Sequence, residues 1–282
     1  MKFSKFHALG NDFLIVDRAE IGSGADLGDL ARRICERHMG AGADGILLLA
    51  DAADGSGEVD FRIFNADGSE AEISGNGIRC AAAHLFSEGR ASGGRVRFRT
   101  SAGPRECELI GRQGGVSTIR IEMGVPRLAS NEIPFDDGRR HERIIDYPLT
   151  IGGKLRLVTI MSMGNPHCDI FVDRFPSRIE WHETGREIEI HPFFPNRTNV
   201  EFVRVIGRGE IEVLFWERGV GETLSSGSGS CAAAVSAILK GYADRTIRVK
   251  TSLGSLLVEW PEETAGVFQT GPAEFAYSGS YQ

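Results

Sequence analysis

The chain lacks long apolar runs, a surplus of basic residues and any paired cysteine spacing, and each absence excludes a class of protein. No stretch is long enough for a signal peptide or a membrane span, so a cytosolic location is expected. Asp and Glu outnumber Lys and Arg by 39 to 32, a net charge of −7 that leaves no basic face for nucleic acid. The arginine-rich patch at Arg95, Arg97 and Arg99 alternates as the exposed face of a strand would. The five cysteines (Cys35, Cys80, Cys107, Cys168, Cys231) are odd in number and form no C-x-x-C pair, which argues against a disulfide framework and a zinc site. No phosphate-binding lysine motif, dinucleotide fingerprint or metal-ligand cluster is present, so no cofactor and no metal are expected.

Glycine, by contrast, is abundant. Its 36 copies suit many short strands joined by tight turns. With 41% hydrophobic and 25% charged residues the composition is that of a globular protein, and 282 residues suffice for two cores. The sequence repeats itself on that scale. Ala8-Leu9-Gly10-Asn11 returns as Ser162-Met163-Gly164-Asn165, and Val59–Phe64 returns as Ile211–Trp216. Val96–Gly103 returns as Ile247–Gly254, and Ser74-Gly75-Asn76-Gly77 as Ser226-Gly227-Ser228-Gly229. A near-constant offset of about 150 residues means duplicated domains rather than a solenoid, whose repeats are far shorter. The expected domains are 1–125 and 126–270, with 271–282 returning to the first.

Apolar spacing predicts a helix over Leu27–His38, and Cys-Ala-Ala-Ala cores predict two more over Gly77–Ser87 and Gly229–Lys240, ended by Gly89 and Gly241. Strand-like runs fill most of the rest. The fold class is therefore α/β of the α+β kind: two pseudo-symmetric domains, each a curved, mostly antiparallel sheet wrapped around a central helix. Ser74 and Ser226 would each open a central helix, whose first amides attract anions. Two such ends facing one another would grip a carboxylate and flank its α-carbon, a geometry suited to inverting a stereocentre.

Asn65-Ala66-Asp67-Gly68-Ser69-Glu70 and Trp216-Glu217-Arg218-Gly219-Val220-Gly221-Glu222 lead into those helices. With His38–Gly45, Gly164-Asn165-Pro166-His167-Cys168 and Arg197-Thr198-Asn199-Val200-Glu201-Phe202, they resemble diaminopimelate epimerase across essentially the whole chain. The resemblance implies a cofactor-independent isomerase that interconverts LL- and meso-diaminopimelate, with a small diamino-dicarboxylate as its partner. A homodimer is compatible with it, the oligomeric state being left open. It implies substrate recognition by Asn11, Asn65, Asn165, Asn199 and Arg218, and a carboxylate held by the amides of Gly75, Asn76, Gly227 and Ser228. His167 and Glu217 would stand behind the acid–base pair.

That pair departs from the family. Where its members carry two catalytic cysteines, this chain has Ser74 and Ser226. A thiol titrates near pH 8.5 and lower at a helix N-terminus, whereas a serine hydroxyl stays protonated throughout the accessible range. Three readings fit: an inactivated form of a working enzyme, a divergent member in which His167 or Glu217 activates the hydroxyls, and a paralogue that binds without turnover. A dehydratase of the proline racemase-related group is a further alternative, since elimination of water needs one base and one acid rather than a symmetric pair. Plainer roles also exist: Ser74 and Ser226 as helix caps, Asn11 and Asn165 as left-handed turn residues, Arg218 as a surface partner of Glu222, and His167 as a solvent-facing loop residue.

Overall fold

The computed structural model of the chain describes residues 1–91 and 93–282. It divides into unit 1, Met1–Glu122 with Thr270–Gln282, and unit 2, Met123–Gln269. The first part of the chain runs β1 (Lys2–Ala8), β2 (Asn11–Asp17), α1 (Leu27–Cys35), β3 (Gly45–Asp51), β4 (Val59–Asn65), β5 (Glu70–Ala71), α2 (Gly75–Ser87), β6 (Arg95–Thr100), β7 (Gly103–Gln113) and β8 (Val116–Gly124). The second runs β9 (Ile144–Ile151), β10 (Lys154–Ser162), β11 (Pro166–Phe171), α3 (Arg178–Glu189), β12 (Asn199–Gly207), β13 (Glu210–Glu217), β14 (Gly221–Thr223), α4 (Gly227–Leu239), β15 (Thr246–Thr251) and β16 (Gly254–Glu259). Finally β17 (Val267–Ser280) pairs antiparallel with β1.

The pairing repeats strand for strand. In unit 1, β1–β2 is antiparallel, β2–β3 parallel, β3–β4 antiparallel and β4–β6 parallel. In unit 2, β10–β11 is antiparallel, β11–β12 parallel, β12–β13 antiparallel and β13–β15 parallel. The sheets are thus mixed, each parallel pair being bridged by a helix, as crossovers require. Arg95, Arg97 and Arg99 lie on β6 and pair with acidic neighbours such as Glu106 and Glu58, as expected of a solvated strand face.

The central helices α2 and α4 are buried almost all round, so they are built from alanine, glycine and small polar residues that let strands approach closely. Their ends are marked as the sequence suggests. Ser74 and Ser226 are the N-caps, and Gly89 and Gly241 adopt positive φ of 68° and 71° after the last turn. Helix α1 stops at Cys35 rather than reaching His38, because the Glu36 side chain accepts the amides of His38 and Met39 and holds that segment out of the helix.

The sequence pattern does not predict α3. Its buried residues are Trp181, Thr184, Gly185, Ile188 and Glu189, of which three are polar or bare. Gly185 is required there, since a Cβ would lie 2.8 Å from Cγ of Trp216. Through Trp181 and Ile188 the helix packs on Val200 and Phe202 of β12, whose opposite face meets α4. A fully buried Phe202 contributes about 2–3 kcal/mol relative to exposure.

Candidate active site

In unit 1 the Ser74 hydroxyl accepts the Gly77 amide at 3.0 Å, which closes the first turn of α2. The amides of Gly75 and Asn76 have no carbonyl within the helix to bond, the usual state of a first turn. Asn76 is buried, and its side-chain NH₂ donates to Asn11 Oδ1 at 3.2 Å while Arg79 donates to its Oδ1 at 2.5 Å. Asn11 in turn donates to Asp44 Oδ2 at 2.8 Å. The left-handed backbone of the hairpin falls on Leu9 and Gly10 (φ 51° and 82°), not on Asn11, which begins β2 in extended form. Asn65 ends β4 and donates to Ser69 Oγ at 3.0 Å.

Unit 2 repeats this with one addition. The Ser226 hydroxyl accepts the Gly229 amide at 3.3 Å and donates to Glu217 Oε2 at 3.2 Å. Thr223 Oγ1 donates to Glu217 Oε1 at 2.6 Å, so both carboxyl oxygens are engaged. Asn165 Nδ2 donates to Ser228 Oγ at 3.4 Å, the counterpart of the Asn76–Asn11 contact. Here too the positive φ falls on the preceding glycine, Gly164 (102°). Gly227 and Ser228 open α4 as Gly75 and Asn76 open α2.

His167 is wholly buried on β11 rather than facing solvent. Its Nδ1 lies 2.8 Å from Glu201 Oε1 and its Nε2 3.0 Å from Asn165 Oδ1. Burial pulls its pKa down to about 4, against the charges of Asp169 and Glu217, so the ring is neutral near pH 7. The ring hydrogen-bonds Glu201 and Asn165, and among the described residues it makes no hydrogen bond to Ser226. Asn199 is spent on backbone: it donates to the Pro166 carbonyl at 2.8 Å and accepts the Arg218 amide at 3.0 Å, tying the two loops together. Arg218 is half-buried, its guanidinium donating to the Asn196 carbonyl at 3.2 Å. The surface pairing with Glu222 is not formed, because Arg178 and His182 occupy that carboxylate at 2.6 and 2.9 Å.

Two residues the sequence did not single out, Asp169 and Glu201, are fully buried beside this group. All five cysteines are buried, and burial pushes Cys80, the first cysteine after Ser74, up to about 12. Among the described residues no cluster of three His, Cys, Asp or Glu side chains could hold a metal ion, and no helix is long and apolar enough to cross a membrane.

A duplicated strand order with a buried central helix in each repeat is the architecture shared with solved racemases and epimerases. The crystal structure of a hydroxyproline epimerase from Agrobacterium vitis matches with a TM-score of 0.69 at 15% identity, covering 99% of this chain and 90% of that one. The chain belongs to the diaminopimelate epimerase family, whose model matches residues 3–129 and 159–276. The diaminopimelate epimerase of Pelotomaculum thermopropionicum is 45% identical over 282 residues, covering 100% of this chain and 99% of that protein. That of Moorella thermoacetica is 40% identical, over 100% of this chain and 99% of its own.

Proposed function

We propose that the chain is an amino-acid isomerase of the diaminopimelate epimerase type in which α-proton transfer is slowed because Ser74 and Ser226 stand where the family's two thiols act. The activity follows from family membership along the full length. The substrate has an amino group and a carboxylate at each end. The first amides of α2 and α4 suit the reacting carboxylate, and Asn11, Asn65, Asn165 and Arg218 suit the remaining polar groups. Asn199 acts through the backbone of Pro166 and Arg218, which it holds in place.

One observation carries this reading: the same serine-capped helix, with an asparagine contact at its second residue, is built in both repeats. Inversion needs a base on one face and an acid on the other. A single-site binder or a one-sided catalyst has no use for two such ends. The hydroxyls are weaker bases than thiolates, and each pKa unit of lost basicity is worth about 1.4 kcal/mol.

The reading is tested by restoring the thiols. Ser74→Cys with Ser226→Cys is expected to convert LL- to meso-diaminopimelate several orders of magnitude faster than the chain as it stands. Each single replacement is expected to remain poor at inversion, followed by chiral separation of the product. Inactivity of the double replacement would point to a different ligand. A second reading, elimination of water, is favoured by the one-sided Glu217; turnover of a β-hydroxy amino acid by the unmodified chain would support it.

A further inference from the structure

The parallel strand pair at the heart of each unit is built on the same register with opposite chemistry. In unit 1, Phe13 on β2 faces Gly45 on β3, and Ile15 faces Leu47. In unit 2, His167 on β11 faces Asn199 on β12, and Asp169 faces Glu201. The offset is 154 throughout, so Phe13, Ile15 and Leu47 are the counterparts of His167, Asp169 and Glu201. All six are buried. Each repeat also brings the same strand position against its central helix. A Cβ built on Gly77 would lie 3.2 Å from Leu47 Cδ2, and one built on Gly229 would lie 2.6 Å from Glu201 Oε1. An apolar side chain therefore suffices at this place in the fold, and a buried carboxyl there answers another need.

We propose that Glu201 is a positioning residue that donates its carboxylic-acid proton to His167 Nδ1, locks the ring with its own proton on Nε2, and so fixes which way the Asn165 amide faces. The hydrogen bonds form one chain, Glu201 Oε1 to His167 Nδ1 at 2.8 Å, His167 Nε2 to Asn165 Oδ1 at 3.0 Å, and Asn165 Nδ2 to Ser228 Oγ at 3.4 Å. Each link fixes the polarity of the next. Glu201 Oε2 is buried and has no hydrogen-bond partner among the described residues. As a carboxylate it would leave a charged oxygen unsolvated, and with its proton on Oε2 it would leave an O–H without an acceptor. Only a proton on Oε1, directed at Nδ1, leaves nothing worse than a bare carbonyl oxygen. Nδ1 is then an acceptor, and the remaining ring proton sits on Nε2, where Asn165 Oδ1 receives it. The amide NH₂ of Asn165 is thereby turned to Ser228 and the first turn of α4. Burial supports the protonation states: it holds the Glu201 carboxyl well above the usual carboxylate range, helped by the charge of Glu217, and keeps His167 neutral.

The role of this donor in ligand binding rests on the proposed function; the proton arrangement does not. The test separates the two. In the unmodified protein, ¹⁵N-resolved NMR of His167 is expected to show a bare Nδ1 and a protonated Nε2 between about pH 6 and 8, the range in which an ordinary histidine titrates. Glu201→Gln keeps an N–H donor opposite Nδ1 and is expected to preserve that tautomer. Glu201→Leu imports the residue that unit 1 already uses, so it is compatible with the fold. It is expected to release the tautomer and to weaken diaminopimelate binding about tenfold, the lower end of the losses seen when the group behind a metal-binding histidine is removed. A protonated Nδ1 in the unmodified protein, or an unchanged tautomer in Glu201→Leu, would overturn the proposal whatever the ligand. A tautomer that responds as expected while diaminopimelate fails to bind any form would leave the lock standing and overturn the substrate assignment instead.

Discussion

The Ser226 hydroxyl donates to Glu217 Oε2 at 3.2 Å, and among the described residues the other repeat makes no such contact at Ser74. The counterpart of Glu217, at an offset of 152, is Asn65, whose amide is turned to Ser69. Ser74 meets its helix through the Gly77 amide. One hydroxyl thus has a carboxylate as proton acceptor and the other does not, so any residual chemistry is expected to be one-sided.

Glu217 also accepts from Thr223, so Glu217→Ala strips an acceptor from two part-buried hydroxyls at once. A loss of about 1–3 kcal/mol is expected in urea unfolding, the desolvation cost of unsatisfied donors. Asn65→Ala, which removes one donor from the exposed Ser69 hydroxyl and leaves its bond to Asp67, is expected to cost less. Equal losses would show that the contacts of Glu217 do not contribute.

The capping role of the serines is separable from any chemistry. Ser74→Ala and Ser226→Ala each remove the acceptor for a first-turn amide and are expected to destabilise by about 1 kcal/mol, Ser→Gly by only a few tenths. Thermal unfolding of the four variants checks this; indifference to alanine would remove the caps from the account.

The duplicated order of strands and the two central helices are legible because serine, glycine and alanine recur at matching positions. Asp169 and Glu201 are not legible, for a reason that traces to α3. With buried residues Trp181, Thr184, Gly185, Ile188 and Glu189, that helix hides from any search for apolar periodicity. Without it, Val200 and Phe202 read as the inner face of β12 and Glu201 as the solvent face. In the structure Val200 and Phe202 pack under α3, and Glu201 lies against Gly229 of α4. An acidic residue on a strand covered on both faces is the signal, and it becomes visible only once the second cover is known. His167 was legible as a residue but not in its surroundings, because its neighbours come from β12 and a turn.

Asp169 carries a pH signature. Burial holds its carboxyl well above the usual range, with the neighbouring Glu201 adding to the shift and the Ser236 hydroxyl, at 2.5 Å, opposing it. A raised folded pKa means that the folded chain keeps a proton which the unfolded chain releases above about pH 4. Stability is therefore lost as pH rises through that window towards the folded pKa. Asp169→Asn keeps the acceptor for Ser236 and has no proton to lose. Its stability relative to the unmodified chain is expected to grow steadily from about pH 4 upward, measured by denaturant unfolding across pH. A difference that shrinks with pH would mean that Asp169 is ionised in the fold.

Gly229→Ala is expected to destabilise although alanine favours helices, because its Cβ would stand 2.6 Å from Glu201 Oε1 and 3.0 Å from Phe215 Cδ1. The cost of such overpacking is about 1–3 kcal/mol, and the same variant should disturb the His167 tautomer. A neutral or stabilised variant would show that Glu201 can move aside.

Under the proposed function Ser74 and Ser226 lack the basicity that epimerisation needs, and α-hydrogen exchange is the direct test. The unmodified protein is incubated with LL-diaminopimelate in deuterated water, and deuterium at the α-carbon is followed by mass spectrometry. Exchange that is absent or very slow is expected, rising by several orders of magnitude when Ser74→Cys and Ser226→Cys are combined. Rapid exchange by the unmodified chain would contradict the account and make another group, Glu217 first among them, the proton carrier.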